Sequence, residues 1–314
     1  VISGLAAIAA RYEVFLLDQY GVLHNGSEPY HGAVDCLQQL LTLGKTVVLL
    51  SNTSKRSCYL APMLASLGFP TNYCGAVTGG EVAYQFLHER REQLKSCALL
   101  TSDVEGSVVR RRENNWSLFN GLDVQVAPVE SADCLIVEGT EQVCYSADPS
   151  EALLTNYRAT GKANAAIVEF LQKGVARQLP MLCTNPDVVS VIGSECVVHH
   201  MGGGIAKLYE TMGGTVEYFG KPRREHFEVC LELAGVTDKT RVVHVGDSLH
   251  HDVQGAVNTG VDSIFIAGGI HAPELDVNAW SDDDEQQRVK PALLDNLLDG
   301  TQLFPTYACT RFAW

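Results

Sequence analysis

The sequence predicts an α/β fold with a parallel, doubly wound sheet, and three observations carry that expectation. Short unbroken apolar runs stop abruptly at Asp or Ser, helix-period stretches ending in Gly follow them, and the same grammar recurs near both ends of the chain. With 314 residues, the chain is long enough for about two domains, each burying its own core.

Residues 14–17 form the first run, apolar throughout, halting at Asp18 and turning through Gly21. Such a run suits a strand covered on both faces. Residues 33–43 follow as a helix, with Val34, Leu37 and Leu41 on one face and Gly44 as the stop. Residues 46–50 are a second buried strand and deliver Ser51 to its carboxyl end. Strand, helix, strand in that order predicts a right-handed parallel unit, so Asp18 and Ser51 face one crevice.

Near the far end, Val242, Val243 and Val245 lead into Gly246 and Asp247. A helix then runs to Asn258 before Gly260, and residues 263–266 supply another strand. Between these halves lie separate signals at 98–100, 135–137, 163–172 and 181–183. Placing all of them in one sheet would leave an oversized core, so the expected division is a core of 1–79 and 215–314 with an inserted α/β domain of 80–214. No repeat of fixed period is visible. The acidic run 281–285 reads as a solvated loop.

Composition narrows the function classes. A formal net charge of −14 with no basic stripe excludes a nucleic-acid partner. No apolar run approaches the ~20 residues of a membrane span, so no membrane partner is expected. Ten scattered cysteines without a C-x-x-C pair read as mostly buried thiols in a reducing compartment, which points to the cytoplasm.

A strand-end aspartate by itself is more often a cap or turn residue than a ligand. Four ordered elements change that reading: FLLDQYGVLHNG, VVLLSN, FGKP and VVHVGDSLHHD. Together they resemble the haloacid dehalogenase superfamily, over both core halves and the insert. The resemblance implies a Rossmann-like core with an inserted cap of the C2 type. It further implies that Asp18 attacks phosphorus and becomes an aspartyl phosphate, Ser51 hydrogen-bonds the phosphoryl oxygens and Lys221 neutralises both groups. Asp247 matches a magnesium ligand, Asp252 matches the acid that supports the metal shell, and the family uses the backbone carbonyl at the position of Tyr20. The Mg2+ site implied is thus Asp18, Tyr20, Asp247 and Asp252. Phosphoryl transfer needs mainly positioning and charge neutralisation, which such a set supplies.

The insert, the tetrad Thr184-Asn185-Pro186-Asp187 and the string FGKP look like the NagD-like and 4-nitrophenyl phosphate phosphatases of subclass IIA. That likeness implies Asn52, Asn185 and Asp187 as substrate contacts, although Asp187 reads equally as a turn residue after Pro186. The glycines of MGGGIAKLYETMGG read either as close-approach and hinge positions or as an ordinary loop and helix stop. Relatives with this cap type often pair through it, so a homodimer is a further expectation.

One position departs from the pattern. Most phosphatases of the superfamily carry an acidic residue two places after the nucleophile, and Tyr20 stands there. General acid–base catalysis typically contributes ~10²–10⁴-fold, so its loss slows attack on alkyl phosphates. Replacement candidates are the Tyr20 phenol, a poor base with an unperturbed pKa near ~10, and His24, near ~6.5. His250 and His251, beside the metal loop, are two more. The expected function is a magnesium-dependent phosphatase of a small phosphate ester such as a sugar phosphate. A catalytically weak phosphate-binding relative is the alternative. A haloacid dehalogenase, suggested by D-x-Y, ranks below both because two carboxylates around a GD turn suit a cation.

Overall fold

The computed structural model describes residues 1–102, 114–192, 197–281 and 287–314; Cys196 and most of the acidic run 281–285 lie outside them. The strands in chain order begin with β1 (Val14–Leu17), β2 (Thr46–Ser51) and β3 (Gly75–Thr78). Next come β4 (Ser96–Thr101), β5 (Gln125–Val126), β6 (Cys134–Val137), β7 (Gln142–Cys144), β8 (Leu153–Leu154) and β9 (Pro180–Cys183). After β10 (Val189–Ile192), β11 (Val197–His200) and β12 (Thr215–Tyr218), the chain closes with β13 (Val242–Gly246), β14 (Asp262–Ile266) and β15 (Tyr307–Cys309).

Six of these make the core sheet, in the order β15-β14-β13-β1-β2-β3, with every pairing parallel. The apolar runs explain why. Side chains alternate across a strand, and in β1 Phe15 and Leu17 pack into one cluster while Val14 and Leu16 pack into another. In β2, Val47 and Leu49 join the first cluster and Val48 and Leu50 the second. Helix Ala33–Thr42 covers one face through Cys36, Leu37 and Leu40, and helix Arg224–Leu233 covers the other through Phe227, Cys230 and Leu231. Both faces are dry, so no strand needs a polar row.

A second sheet holds β12-β9-β6-β4-β7-β8, with β5 paired to β4 and a short β10–β11 hairpin beside it. The sequence division at 214/215 cuts this sheet one strand early. β12 pairs in parallel with β9, Thr215 opposite Pro180 through Tyr218 opposite Cys183, so the chain returns to the core only after Tyr218. An alternating four-residue edge strand gives too weak an apolar signal to assign to a sheet from sequence.

The crossing points are tightly packed. A Cβ on Gly79 would lie 2.4 Å from the Thr184 carbonyl oxygen and 2.7 Å from that of Phe219, and one on Gly80 would lie 2.0 Å from that of Ser54. The chain therefore enters the second sheet and leaves it at one seam. Seven of the nine described cysteines are buried, all nine are free, and no described helix is long and apolar enough to cross a membrane.

Candidate active site

β1 and β13 are neighbours, and from them the chain proceeds in opposite directions, through β2 and β3 on one side and β14 and β15 on the other. The loops leaving such a pair diverge and open a crevice at the carboxyl end of the sheet. Asp18 is the first residue beyond β1, Asp247 the first beyond β13, and Ser51 the last of β2.

Lys221, 2% exposed, reaches into this crevice. Its Nζ lies 2.7 Å from Asp18 Oδ1 and 2.7 Å from Asp252 Oδ1. Asp252 comes from a π-helical turn, Leu249–Val253, and both its oxygens are engaged: Oδ1 also meets His244 Nε2 at 2.8 Å, and Oδ2 accepts the Ser248 N–H at 2.9 Å. Asp247 Oδ2 accepts the Ile270 N–H at 2.7 Å. Two glycines let that carboxylate lie against the backbone. A Cβ on Gly21 (φ +78°) would fall 1.8 Å from Asp247 Oδ2, and one on Gly269 would fall 2.2 Å from it.

Oxygens of Asp18, Asp247 and Asp252 all lie within 4.8 Å of one another. Three buried carboxylates face one ammonium, so full ionisation leaves two uncompensated negative charges, a costly state in a dry site. Burial pushes Asp18 up to about 7 against the pull of Lys221. Burial also raises Asp247 well above the usual carboxylate range, and the Asp18 and Asp252 charges add to it. Burial opposes ionisation of Asp252 too, but Lys221 and His244 outweigh it and hold Asp252 below that range. A divalent cation fits this set, because hard oxygen donors and a twofold charge deficit are what such an ion requires. Asp18 gives Oδ1 to Lys221 and Asp247 gives Oδ2 to Ile270, so each keeps a second carboxylate oxygen that can serve as a donor to the ion. Asp252, with both oxygens in hydrogen bonds, also braces Lys221.

The remaining expected residues divide. Ser51 Oγ accepts the Thr53 N–H at 3.3 Å, which leaves its hydroxyl proton free to donate. Asn52 is a bracket more than a free substrate contact: Oδ1 accepts the Lys221 N–H at 2.7 Å and Nδ2 donates to Asp187 Oδ1 at 2.7 Å. Asn185 Oδ1 accepts the Asp187 N–H at 2.9 Å, and His251 Nε2 lies 3.3 Å from Asp187. Asp187 thus ties the loop after β9 to the core while still lining the cavity.

His24 requires a correction. The turn after Gly21 buries it completely, its Nδ1 accepts the Gly26 N–H at 3.0 Å, and it is absent from the cavity lining. Burial pushes its imidazole down to about 4, so it is a neutral packing group, edge-on to Tyr20 at 4.7 Å between ring centroids. Sequence proximity to Tyr20 concealed this, because a tight turn reverses the side chain's direction. Tyr20 itself lines the cavity, 40% exposed; burial raises its phenol, neighbouring Tyr59 adds to that, and Arg158 opposes it. His250 and His251 line the cavity as well.

The cavity measures about 1120 Å³ and is lined by segments of both halves of the molecule. Asp18, Ser51, Lys221 and Asp247 come to it from the core half, and Arg158, Asn185, Asp187 and Lys207 from the half that holds the second sheet. Arg158, Lys207 and Lys55 carry no motif spacing and are illegible in the sequence. His244 did have a signal: it is a lone polar residue inside the buried run VVHVG.

Two family models match the chain. One described as haloacid dehalogenase-like hydrolase matches residues 15–112, and one described as HAD-hydrolase-like matches residues 218–298. A 4-nitrophenylphosphatase of Schizosaccharomyces pombe is 24% identical over 276 residues, covering 84% of this chain and 86% of that protein. An acid sugar phosphatase of Staphylococcus aureus is 22% identical, covering 84% of this chain and 90% of that protein. The crystal structure of a haloacid dehalogenase-like hydrolase from Brucella suis superposes with a TM-score of 0.71 at 24% identity, over 98% of each chain.

Proposed function

Because this chain belongs to the haloacid dehalogenase-like hydrolases, we propose that it is a magnesium-dependent phosphatase of small phosphorylated metabolites, sugar phosphates among them. The single observation that supports this most is Asp18 held 2.7 Å from a buried Lys221, beside Asp247, in a cavity lined by both halves of the molecule. The names of the two relatives, a 4-nitrophenylphosphatase and an acid sugar phosphatase, support the ester class.

Asp18 and Asp247 would hold the Mg2+ ion, which when bound supplies positive charge to the phosphoryl oxygens and keeps Asp18 ionised. In this reading an Asp18 carboxylate oxygen forms a bond to phosphorus while the bond to the ester oxygen breaks, giving an aspartyl phosphate and an alkoxide. Lys221 balances charge on Asp18 and the phosphoryl group, and the Ser51 hydroxyl donates to a phosphoryl oxygen. Water then attacks the acyl phosphate, releases inorganic phosphate and restores Asp18. The wall opposite Asp18 leaves room for a metabolite rather than a folded protein, and no membrane or nucleic acid enters the scheme. A homodimer paired through the second sheet's half belongs to the same proposal.

Departure of an alkoxide calls for a proton, and no carboxylate stands at residue 20. The Tyr20 phenol lines the cavity at that position and is one protic group available, with His250 as a second. A phenol that stays protonated can donate, weakly because its pKa is raised, and cannot act as a base, so dephosphorylation of Asp18 becomes the slow half. This one observation keeps a second reading in view, a phosphate-binding relative with weak turnover.

Phosphate release from 4-nitrophenyl phosphate and from sugar phosphates, with magnesium and with chelator, tests both readings. The proposal expects hydrolysis only with magnesium, a clear preference for the nitrophenyl ester, and a loss of kcat of about 10⁴-fold or more in Asp18→Asn. Equal rates without a metal, or an active Asp18→Asn, would overturn it.

A further inference from the structure

Arg158 belongs to the short helix Tyr157–Thr160, and two other segments of the second sheet's half grip its guanidinium. Nη1 donates to Glu141 Oε1 at 2.7 Å, and Nε donates to His199 Nδ1 on β11. Glu141 is itself fixed, since its Oε2 accepts the Thr140 N–H at 2.9 Å. His199 accepts as a neutral imidazole, a state that burial and the adjacent guanidinium both favour. It therefore orients Arg158 without neutralising it. Nη2 keeps both its N–H groups without a protein partner among the described residues, and Arg158 lines the cavity that holds Asp18.

The same cavity contains two further cations with no carboxylate partner among the described residues. Lys207 on helix Gly202–Thr211 is exposed, and the Lys55 ammonium lies 3.7 Å from the centroid of the Tyr59 ring. Glu138 and Asp187 line the cavity too, and Glu141 pairs with Arg158, so these cations matter by their position and spare donors and not by an excess of charge. A guanidinium held by two partners has already given up most of its rotamer freedom, and its planar fork matches a carboxylate or phosphate through paired N–H donors.

We propose that Arg158 is a specificity-determining residue that binds a second anionic group on the substrate, a carboxylate or a second phosphate, while the scissile phosphate lies at Asp18. This rests on the phosphatase reading above. The substrate class it selects is a small phosphomonoester with two anionic ends.

The test compares matched pairs on the full chain with magnesium: 3-phosphoglycerate against glycerol 3-phosphate, and fructose 1,6-bisphosphate against fructose 6-phosphate, with 4-nitrophenyl phosphate as reference. The wild-type protein favours the doubly anionic member of at least one pair. Arg158→Met raises KM for that member about ten- to hundredfold and changes kcat/KM on 4-nitrophenyl phosphate by less than about twofold, which also shows that the variant folds. Arg158→Lys recovers part of the loss. No wild-type preference in either pair, or an equal loss on every ester, overturns the inference. If the wild-type protein hydrolyses none of the esters, the phosphatase reading fails separately. Calorimetric binding of 3-phosphoglycerate then decides this one: weaker binding to Arg158→Met sustains it and equal binding overturns it.

Discussion

Lys221, Asp252 and His244 in the core and Arg158, Glu141 and His199 in the second sheet's half are chemically the same trio of cation, carboxylate and imidazole. Burial separates them. Lys221 and Asp252 side chains are each 2% exposed and His244 is fully buried, whereas Arg158 and Glu141 side chains are 39% and 20% exposed. In the first trio no water can replace a missing partner, so each group fixes the others and removing one strands a charge. Solvent reaches the second trio, so its ion pair adds little to stability and its spare donors are available to a ligand. One arrangement holds the reacting groups in place, and the other is free to discriminate among substrates.

The comparison can be broken first at its buried end. Lys221→Met leaves Asp18 and Asp252 without their shared cation and is expected to cost about 3–5 kcal/mol of stability, read by urea unfolding, together with loss of turnover. A variant as stable as wild type would show that the core trio is no more demanding than the outer one.

The next test is the pH dependence that burial imposes on Asp18. The folded chain holds its proton up to about 7, whereas the unfolded chain releases it near ~3.9. Unfolding between those values releases a proton, so this contribution is full at low pH and is lost as pH rises through about 7. In chelator, the melting temperature of wild type relative to Asp18→Asn falls between pH 5 and pH 8, a difference that cancels the buried histidines common to both. Saturating magnesium reduces the fall, because the cation compensates the ionised carboxylate. A relative melting temperature that climbs over that range in chelator would contradict the charge account of the site.

The smallest effect belongs to the outer trio. Glu141→Gln is expected to change stability by less than about 1 kcal/mol, as for other solvent-reached ion pairs. A loss comparable to that of Lys221→Met in urea unfolding would erase the distinction between the two trios.

The sequence made the core side of the site legible because strand ends announce themselves. A run such as FLLD or VVHVGD shows both that a strand is buried and where it stops, and parallel topology then brings Asp18, Ser51 and Asp247 to one edge. Lys221 was legible only through its resemblance to a motif, since it lies 203 residues from Asp18 and no local pattern links them. On the other wall, Asn185 and Asp187 were legible through the same resemblance, and the rest was not. Arg158, Glu141 and His199 meet because a short helix, a loop and a hairpin strand converge, and no periodicity encodes such a meeting. His24 failed for the opposite reason: it is close to Tyr20 in sequence, but the turn sends its ring into the interior. The boundary after residue 214 failed because β12 is a short edge strand whose pairing with β9 only the fold displays.

The seam at Gly79 and Gly80 bears on how such a molecule can be rebuilt. The backbone that departs toward the second sheet and the backbone that returns from it lie in contact there, Gly79 against Phe219. A segment whose two ends are neighbours can be exchanged for one of different length at little entropic cost to its host. The segment between these points is therefore a cartridge. Grafting another wall onto Thr78 and Lys221 would retain the reacting groups while changing what they are offered.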